Sequence, residues 1–131
     1  MIRYFAFSSG GAYHFHGFGE WKLHADEAGC LMVEHNVLGA VTKFGPYQLS
    51  TDESDHLWGT ISGAAFEQRP SSPGPGMPDE AMLGFALSAR TALHNVQLWA
   101  SDAYRDATIV KLVNEIADLI EKYTGQKPVM H

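Results

Sequence analysis

Between Ala103 and Tyr123, the apolar residues Ile109, Leu112, Val113, Ile116, Leu119, Ile120 and Tyr123 recur every three or four positions. That is the period of one face of an α-helix. Gly125 and Pro128 follow, a residue suited to ending a helix and one that cannot continue it. A stripe this wide must be covered, and it is wide enough to lie across a sheet. The rest of the chain is therefore expected to supply that sheet.

Three stretches read as hairpins. Ile2 to Ser8 and Ala12 to Phe18 are aromatic-rich runs around Ser9-Gly10-Gly11, and a Gly-Gly turn would set Phe7 opposite His14 and Phe5 opposite His16. EWKLHA and CLMVEH flank Asp26-Glu27-Ala28-Gly29, where Gly29 suits the left-handed position that closes a type I turn with a bulge. That register pairs Trp21 with Val33 and Leu23 with Leu31, and puts His24 beside Cys30. Ala81 to Leu87 and Ala92 to Trp99 surround Ser88-Ala89-Arg90-Thr91, with His94 falling among Leu83, Phe85, Leu87, Val96 and Leu98. Lys43 to Leu49, interrupted by Gly45-Pro46, is expected to be an edge strand or a strand start, because proline cannot donate to a ladder.

Ser50-Thr51-Asp52-Glu53 has the pattern of a capping box, so a first helix is expected over 51–65 with Leu57, Trp58, Ile61 and Ala65 as its buried stripe. Gly59 and Gly63 weaken that helix by about 1 kcal/mol each relative to alanine, so it depends on tertiary contacts. Residues 67–80, EQRPSSPGPGMPDE, hold four of the six prolines and form a surface loop. The order implies one α+β domain spanning 1–131, a mainly antiparallel sheet built from hairpins, with helices at about 51–65 and 103–123 packed on one face.

Nine Lys and Arg against fifteen Asp and Glu give a net charge of -6, without any basic run that could track phosphates. A nucleic-acid partner is not expected. One cysteine, Cys30, cannot form an internal disulfide, and MIRYFAFSSGG lacks the apolar core and cleavage site of a secretory signal. The expected location is cytoplasmic. No stretch approaches the roughly 18 apolar residues that span a bilayer, so no membrane association is expected.

The chemistry-bearing cluster is AYHFHGFGEWKLH, residues 12–24. His14 and His16 lie at i and i+2 on one strand face, and Glu20 follows four residues later. Imidazoles and a carboxylate are the ligands of first-row divalent metals. The string His-x-His-x-x-x-Glu resembles the first metal motif of the cupins over those residues. The flanking glycine positions of that motif fall on Ser8 and Glu27, no Pro-x-Gly followed closely by His occurs downstream, and two helices occupy too much of the chain for a jelly roll. The family is not adopted. Most histidine pairs are not ligands, so His14, His16 and Glu20 are expected first as ordinary strand residues, with no cofactor, and second as a site for a divalent transition metal.

Other groupings are weaker still. Asp55-His56 lacks an exposed nucleophile elbow and reads as a surface charge pair. Asp79-Glu80 suits a turn before a strand, and Trp21, Trp58 and Trp99 suit core filling. The chain has no G-x-G-x-x-G, G-x-x-x-x-G-K-[ST], H-E-x-x-H or C-x-x-C. The reading that follows is a non-catalytic binding or protein-interaction module, with a metal-dependent protein centred on His14, His16 and Glu20 as the alternative. The first hairpin is apolar on both sides, since Ile2, Tyr4, Ala6, Tyr13 and Phe15 oppose Phe5, Phe7 and Phe18. One side then needs a cover, either a second copy in a homodimer or the 37–49 segment or proline-rich loop folded back over it within one chain.

Overall fold

Side chains that alternate in burial at period two make a strand with one buried face, and several strands of this kind join here in one six-stranded antiparallel sheet. The computed structural model describes residues 3–10, 19–74, 80–89 and 92–128. Its strands are β1 (Tyr4–Gly10), β2 (Glu20–Asp26), β3 (Cys30–Val37), β4 (Ala40–Gln48), β5 (Met82–Ala89) and β6 (Ala92–Trp99), in the spatial order β4-β3-β2-β1-β5-β6. Helices α1 (Thr51–Gly63) and α3 (Ala107–Thr124), with the single-turn α2 (Ala100–Ala103), complete the fold.

The core lies between one sheet face and the two long helices. Phe5, Phe7, Leu23, Leu31 and Leu83 on the strands join Leu57 and Ile61 of α1 and Ile109, Leu112, Ile116 and Ile120 of α3 in a single apolar cluster. Phe5 and Phe7 are 0% and 1% exposed. Each fully buried side chain of this size contributes about 1.5–3 kcal/mol by leaving water. Phe66, on a short 3-10 turn after α1, wedges its ring between Phe5 and Phe85, with centroids 6.1 and 5.1 Å away.

The first hairpin departs from expectation. Both edges of β1 are occupied, by β2 on one side and β5 on the other. Phe7 lies between Leu23 and Phe85, and Phe5 between Ala25 and Leu87, in place of His14 and His16. The strand runs on through Gly10, which pairs with Met82, so Gly10 does not begin a two-residue turn. Ala12 to Phe18 lies outside the described residues. The alternation in β2 favours this outcome, because Trp21, Leu23 and Ala25 carry a continuous buried face alongside Phe5 and Phe7 of β1.

The second hairpin forms with Gly29 left-handed at φ 86°, as expected, but its register is displaced by two residues. Leu23 meets Val33 and Trp21 meets His35, which keeps every side chain on its expected face. His24 consequently lies opposite Met32, while Cys30 lies opposite Gln48. The displacement follows from Asp26, whose Oδ1 accepts from Cys30 N at 3.0 Å and holds the turn within residues 26–29. The third hairpin also pairs two residues closer to its turn than expected, with Leu87 opposite His94 and Ala89 opposite Ala92.

Edge strand β4 starts earlier than expected, at Ala40, and carries its proline at a bulge. Leu31 pairs with Tyr47 and Val33 with Phe44, so Gly45-Pro46 face Met32 across an irregular step. In a regular strand Phe44 and Tyr47, three residues apart, would point to opposite faces. The bulge turns both rings toward the core, Phe44 onto Trp21 at 6.5 Å and Tyr47 onto Tyr123 at 5.2 Å. The opposite edge, β6, is covered by the start of the proline-rich loop. Ser72 N donates to Gln97 O at 2.8 Å and Gln97 N to Ser71 Oγ at 3.0 Å.

The capping box at Ser50 and Glu53 is complete. Helix α1 ends two residues before 65 because Ala65 is left-handed, φ 50°, and Ala64 takes its expected place in the core. Helix α3 begins at Ala107, not near 103. Asp106 caps it, its Oδ1 accepting from Thr108 N at 2.9 Å, and the preceding residues form α2 and a turn. Gly125, φ 78°, ends it as expected.

Candidate functional site, the uncovered sheet face

The sheet has a second face over which neither long helix lies. Strand pairing arranges it in rows: Cys30, Asp26, Tyr4, Ser88 and Leu93; then Met32, His24, Ala6, Ala86 and Asn95; then Glu34, Lys22, Ser8, Gly84 and Gln97. The two central strands, β1 and β5, place only small residues in the second and third rows. Their neighbours β2 and β6 carry long polar side chains there. A trench of about 220 Å³ results, floored by Ala6, Ser8, Gly84 and Ala86 and walled by Lys22 and His24 on one side and Asn95 and Gln97 on the other. At about 4.8 Å per strand, the walls stand about 14 Å apart.

Gly84 has a local role in this shape. A Cβ there would come within 2.6 Å of Ser8 Oγ, so the glycine gives the Ser8 hydroxyl its space. Above the trench, Tyr4 Oη and His24 Nδ1 are 2.8 Å apart, with ring centroids at 5.9 Å. Burial pushes the Tyr4 phenol above its ordinary value, and nearby Asp26, Cys30 and Glu34 add to the effect. The phenol therefore stays protonated and hydrogen-bonds with Nδ1, which leaves Nε2 as the ring nitrogen that Tyr4 does not engage.

Of the residues that sequence alone singled out, Glu20 opens β2 on this same face, beside Gly10. His14 and His16 lie outside the described residues. Among the described residues, no group of three His, Cys, Asp or Glu stands close enough to hold a metal ion. His24 engages Tyr4 and is not the partner of Cys30 expected from the hairpin. On the helical side, His56 Nδ1 lies 2.7 Å from Glu115 Oε1, an ion-pair geometry linking α1 to α3. Glu80 Oε1 accepts from Ser101 N at 2.5 Å in the first turn of α2, while Asp79 lies outside the described residues. The tryptophans are dispersed: Trp21 stacks on His35 at 3.8 Å, Trp58 Nε1 donates to Asp26 O, and Trp99 Nε1 donates to Gly74 O.

His94 lines a second cavity of about 420 Å³ at the end of the sheet, with Arg3, Trp58, Ile61, Glu67 and Leu87 among its walls. Its charged groups are of both signs, and Arg3 is already engaged. Arg3 Nε donates to Glu27 Oε1 at 2.5 Å, and the guanidinium lies 4.6 Å over the Trp58 ring.

Sequence reasoning did not single out the trench. Ala6 and Ala86 are 80 positions apart, and only the β1–β5 pairing makes them neighbours. A local signal was present in the small residues at alternate positions, Ala6, Ser8 and Gly10 in one strand and Gly84, Ala86 and Ser88 in the other. The sequence matches no protein-family model. No curated protein matches it either. Among the described residues, no helix is long and apolar enough to cross a membrane.

Proposed function

We propose that the protein is a non-catalytic interaction module that receives a protein partner on the uncovered face of its sheet. The supporting observation is the trench over β1 and β5, where small residues let another chain approach the backbone between two polar walls. Tyr4, Met32 and Leu93, 44%, 41% and 63% exposed, supply apolar contacts around it. Aromatic and methionine side chains next to polar groups are favoured at protein interfaces. The two helices and the 3-10 turn serve this reading by fixing the sheet from behind.

Photo-crosslinking in the source cells tests the proposal. A crosslinking side chain at Asn95, on the trench wall, is expected to give a discrete adduct that the same probe at Lys111, on α3, does not give. Ala86→Arg, which fills the trench from its floor, is expected to abolish that adduct while leaving the circular dichroism spectrum unchanged. Adducts that form equally from both positions, or that survive Ala86→Arg, would remove this face as the partner surface.

A further inference from the structure

We infer that the trench accepts an acidic side chain of the partner, presented by a carboxylate-bearing segment of its chain. This rests on the reading of the uncovered face as the partner surface and adds the chemistry of what it binds. Among the described residues the trench is lined by Lys22, His24, Ser8, Asn95 and Gln97 as its polar groups, with no aspartate or glutamate, while Glu20 and Glu34 stand on the same face outside it, in a chain whose net charge is -6.

Among the described residues those polar groups are also open to a ligand. Lys22 forms no ion pair within 4.0 Å among the described residues. Glu34, opposite it in register, has its Oε1 4.0 Å from Lys43 Nζ. The side chains of Ser8, Asn95 and Gln97 make no hydrogen bond to another described residue. His24 has Nδ1 engaged by Tyr4, which leaves Nε2 as its open ring nitrogen. Lysine can only donate, serine and the two amides can donate, and a carboxylate can only accept, with about four lone-pair sites. Hydrogen bonds from a charged donor to a carboxylate are about twice as strong as neutral ones.

Size points the same way. A volume of about 220 Å³, open to solvent, is smaller than the roughly 300–1,000 Å³ of pockets that enclose small molecules. It has room for the end of a side chain and is open enough for the chain that carries it to lie above. Ala6 and Ala86 on the floor give the methylenes of a glutamate an apolar surface beside the donors.

The test uses the whole protein, isotope-labelled for amide NMR, with hexaglutamate as probe and hexalysine as control. Hexaglutamate is expected to move the amides of Ser8, Lys22, His24, Gly84 and Gln97 in a saturable way, and hexalysine to leave them in place. Lys22→Glu is expected to weaken hexaglutamate binding by about tenfold or more, the scale of one lost charge-assisted hydrogen bond. Lys43→Glu, on the same face but outside the trench, is expected to change it by less than about twofold, the scale of a screened surface charge. Unmoved trench amides overturn the inference, as do shifts that centre on Lys111 and Lys122 or equal effects of the two substitutions. A dimer that Lys22→Glu disperses would also overturn it, by placing a second copy on the face. These failures leave the broader reading standing, since that reading falls only with the crosslinking results at Asn95 and Lys111 and with Ala86→Arg.

Discussion

Tyr123 Oη donates to Glu53 Oε1 at 2.6 Å, joining the last turn of α3 to the first turn of α1. Lys122 Nζ donates to the other carboxylate oxygen, and Ser50 N donates to Oε1 at 3.0 Å. One side chain thus completes a helix cap and clamps two helices together. The bonds from Lys122, Tyr123 and Ser50 hold the Glu53 carboxyl down to about 2, against an ordinary 4.5.

This clamp predicts an acid dependence. A carboxyl whose folded value lies below its unfolded value stabilises the fold fully above the unfolded value, and the stabilisation fades as pH falls toward the folded one. Glu53→Gln is therefore expected to lower the thermal midpoint at neutral pH. The gap from wild type is expected to close between about pH 4.5 and about pH 2. A gap that is the same at both ends of that range would refute the assignment. Tyr123→Phe, which keeps the ring against Tyr47, is expected to show a smaller effect in the same window.

Leu38 and Gly39 form the turn between β3 and β4 with both residues left-handed, φ 52° and 87°. Asparagine-glycine is the preferred pair there, and a left-handed conformation costs a residue like leucine about 1–2 kcal/mol. Leu38 is 59% exposed, so burial does not offset that cost. Leu38→Asn is expected to stabilise the protein by about 1 kcal/mol, read from the denaturation midpoint at unchanged slope. A loss of stability would mean that the leucine makes contacts which its exposure conceals.

Ser9, 1% exposed on the core face of β1, has no hydrogen-bond partner for its hydroxyl among the described residues. A buried polar group left unpaired costs about 1–3 kcal/mol. Ser9→Ala is expected to be neutral or to stabilise by up to about 1 kcal/mol after the loss of strand propensity. Destabilisation by more than about 1 kcal/mol would show that the hydroxyl is satisfied.

The metal reading has its own measurement. Protein purified without a histidine tag is expected to carry less than about one equivalent of tightly held transition metal, because a closed site needs three or four protein ligands. Stoichiometric zinc, iron or manganese that disappears in a His14→Ala, His16→Ala double variant would make the metal-dependent alternative the better one, with Glu20 as the third ligand to test.

Local rules determined much of the architecture. The 3.6-residue period from Ile109 to Ile120 marked α3, Ser50 and Glu53 marked the start of α1, Gly29 and Gly125 marked a turn and a helix end, and the proline in β4 marked an edge. Each depends on side chains within a few positions, where period and capping chemistry act directly. Register was less accessible. A shift of two residues keeps every side chain on its face, so the alternation in β2 and β3 is equally satisfied by Trp21 opposite Val33 or opposite His35. The Asp26 bond to Cys30 N chose between them. Tertiary structure alone decided which strands flank β1. Gly-Gly is compatible with a tight turn, yet β1 runs through Gly10 between β2 and a strand about 80 positions away. That long-range pairing gathers Ala6, Ser8, Gly84 and Ala86 into one trench. No local pattern encodes it, because burying the apolar faces of β1, β2 and β5 under the same helices is a property of the whole chain.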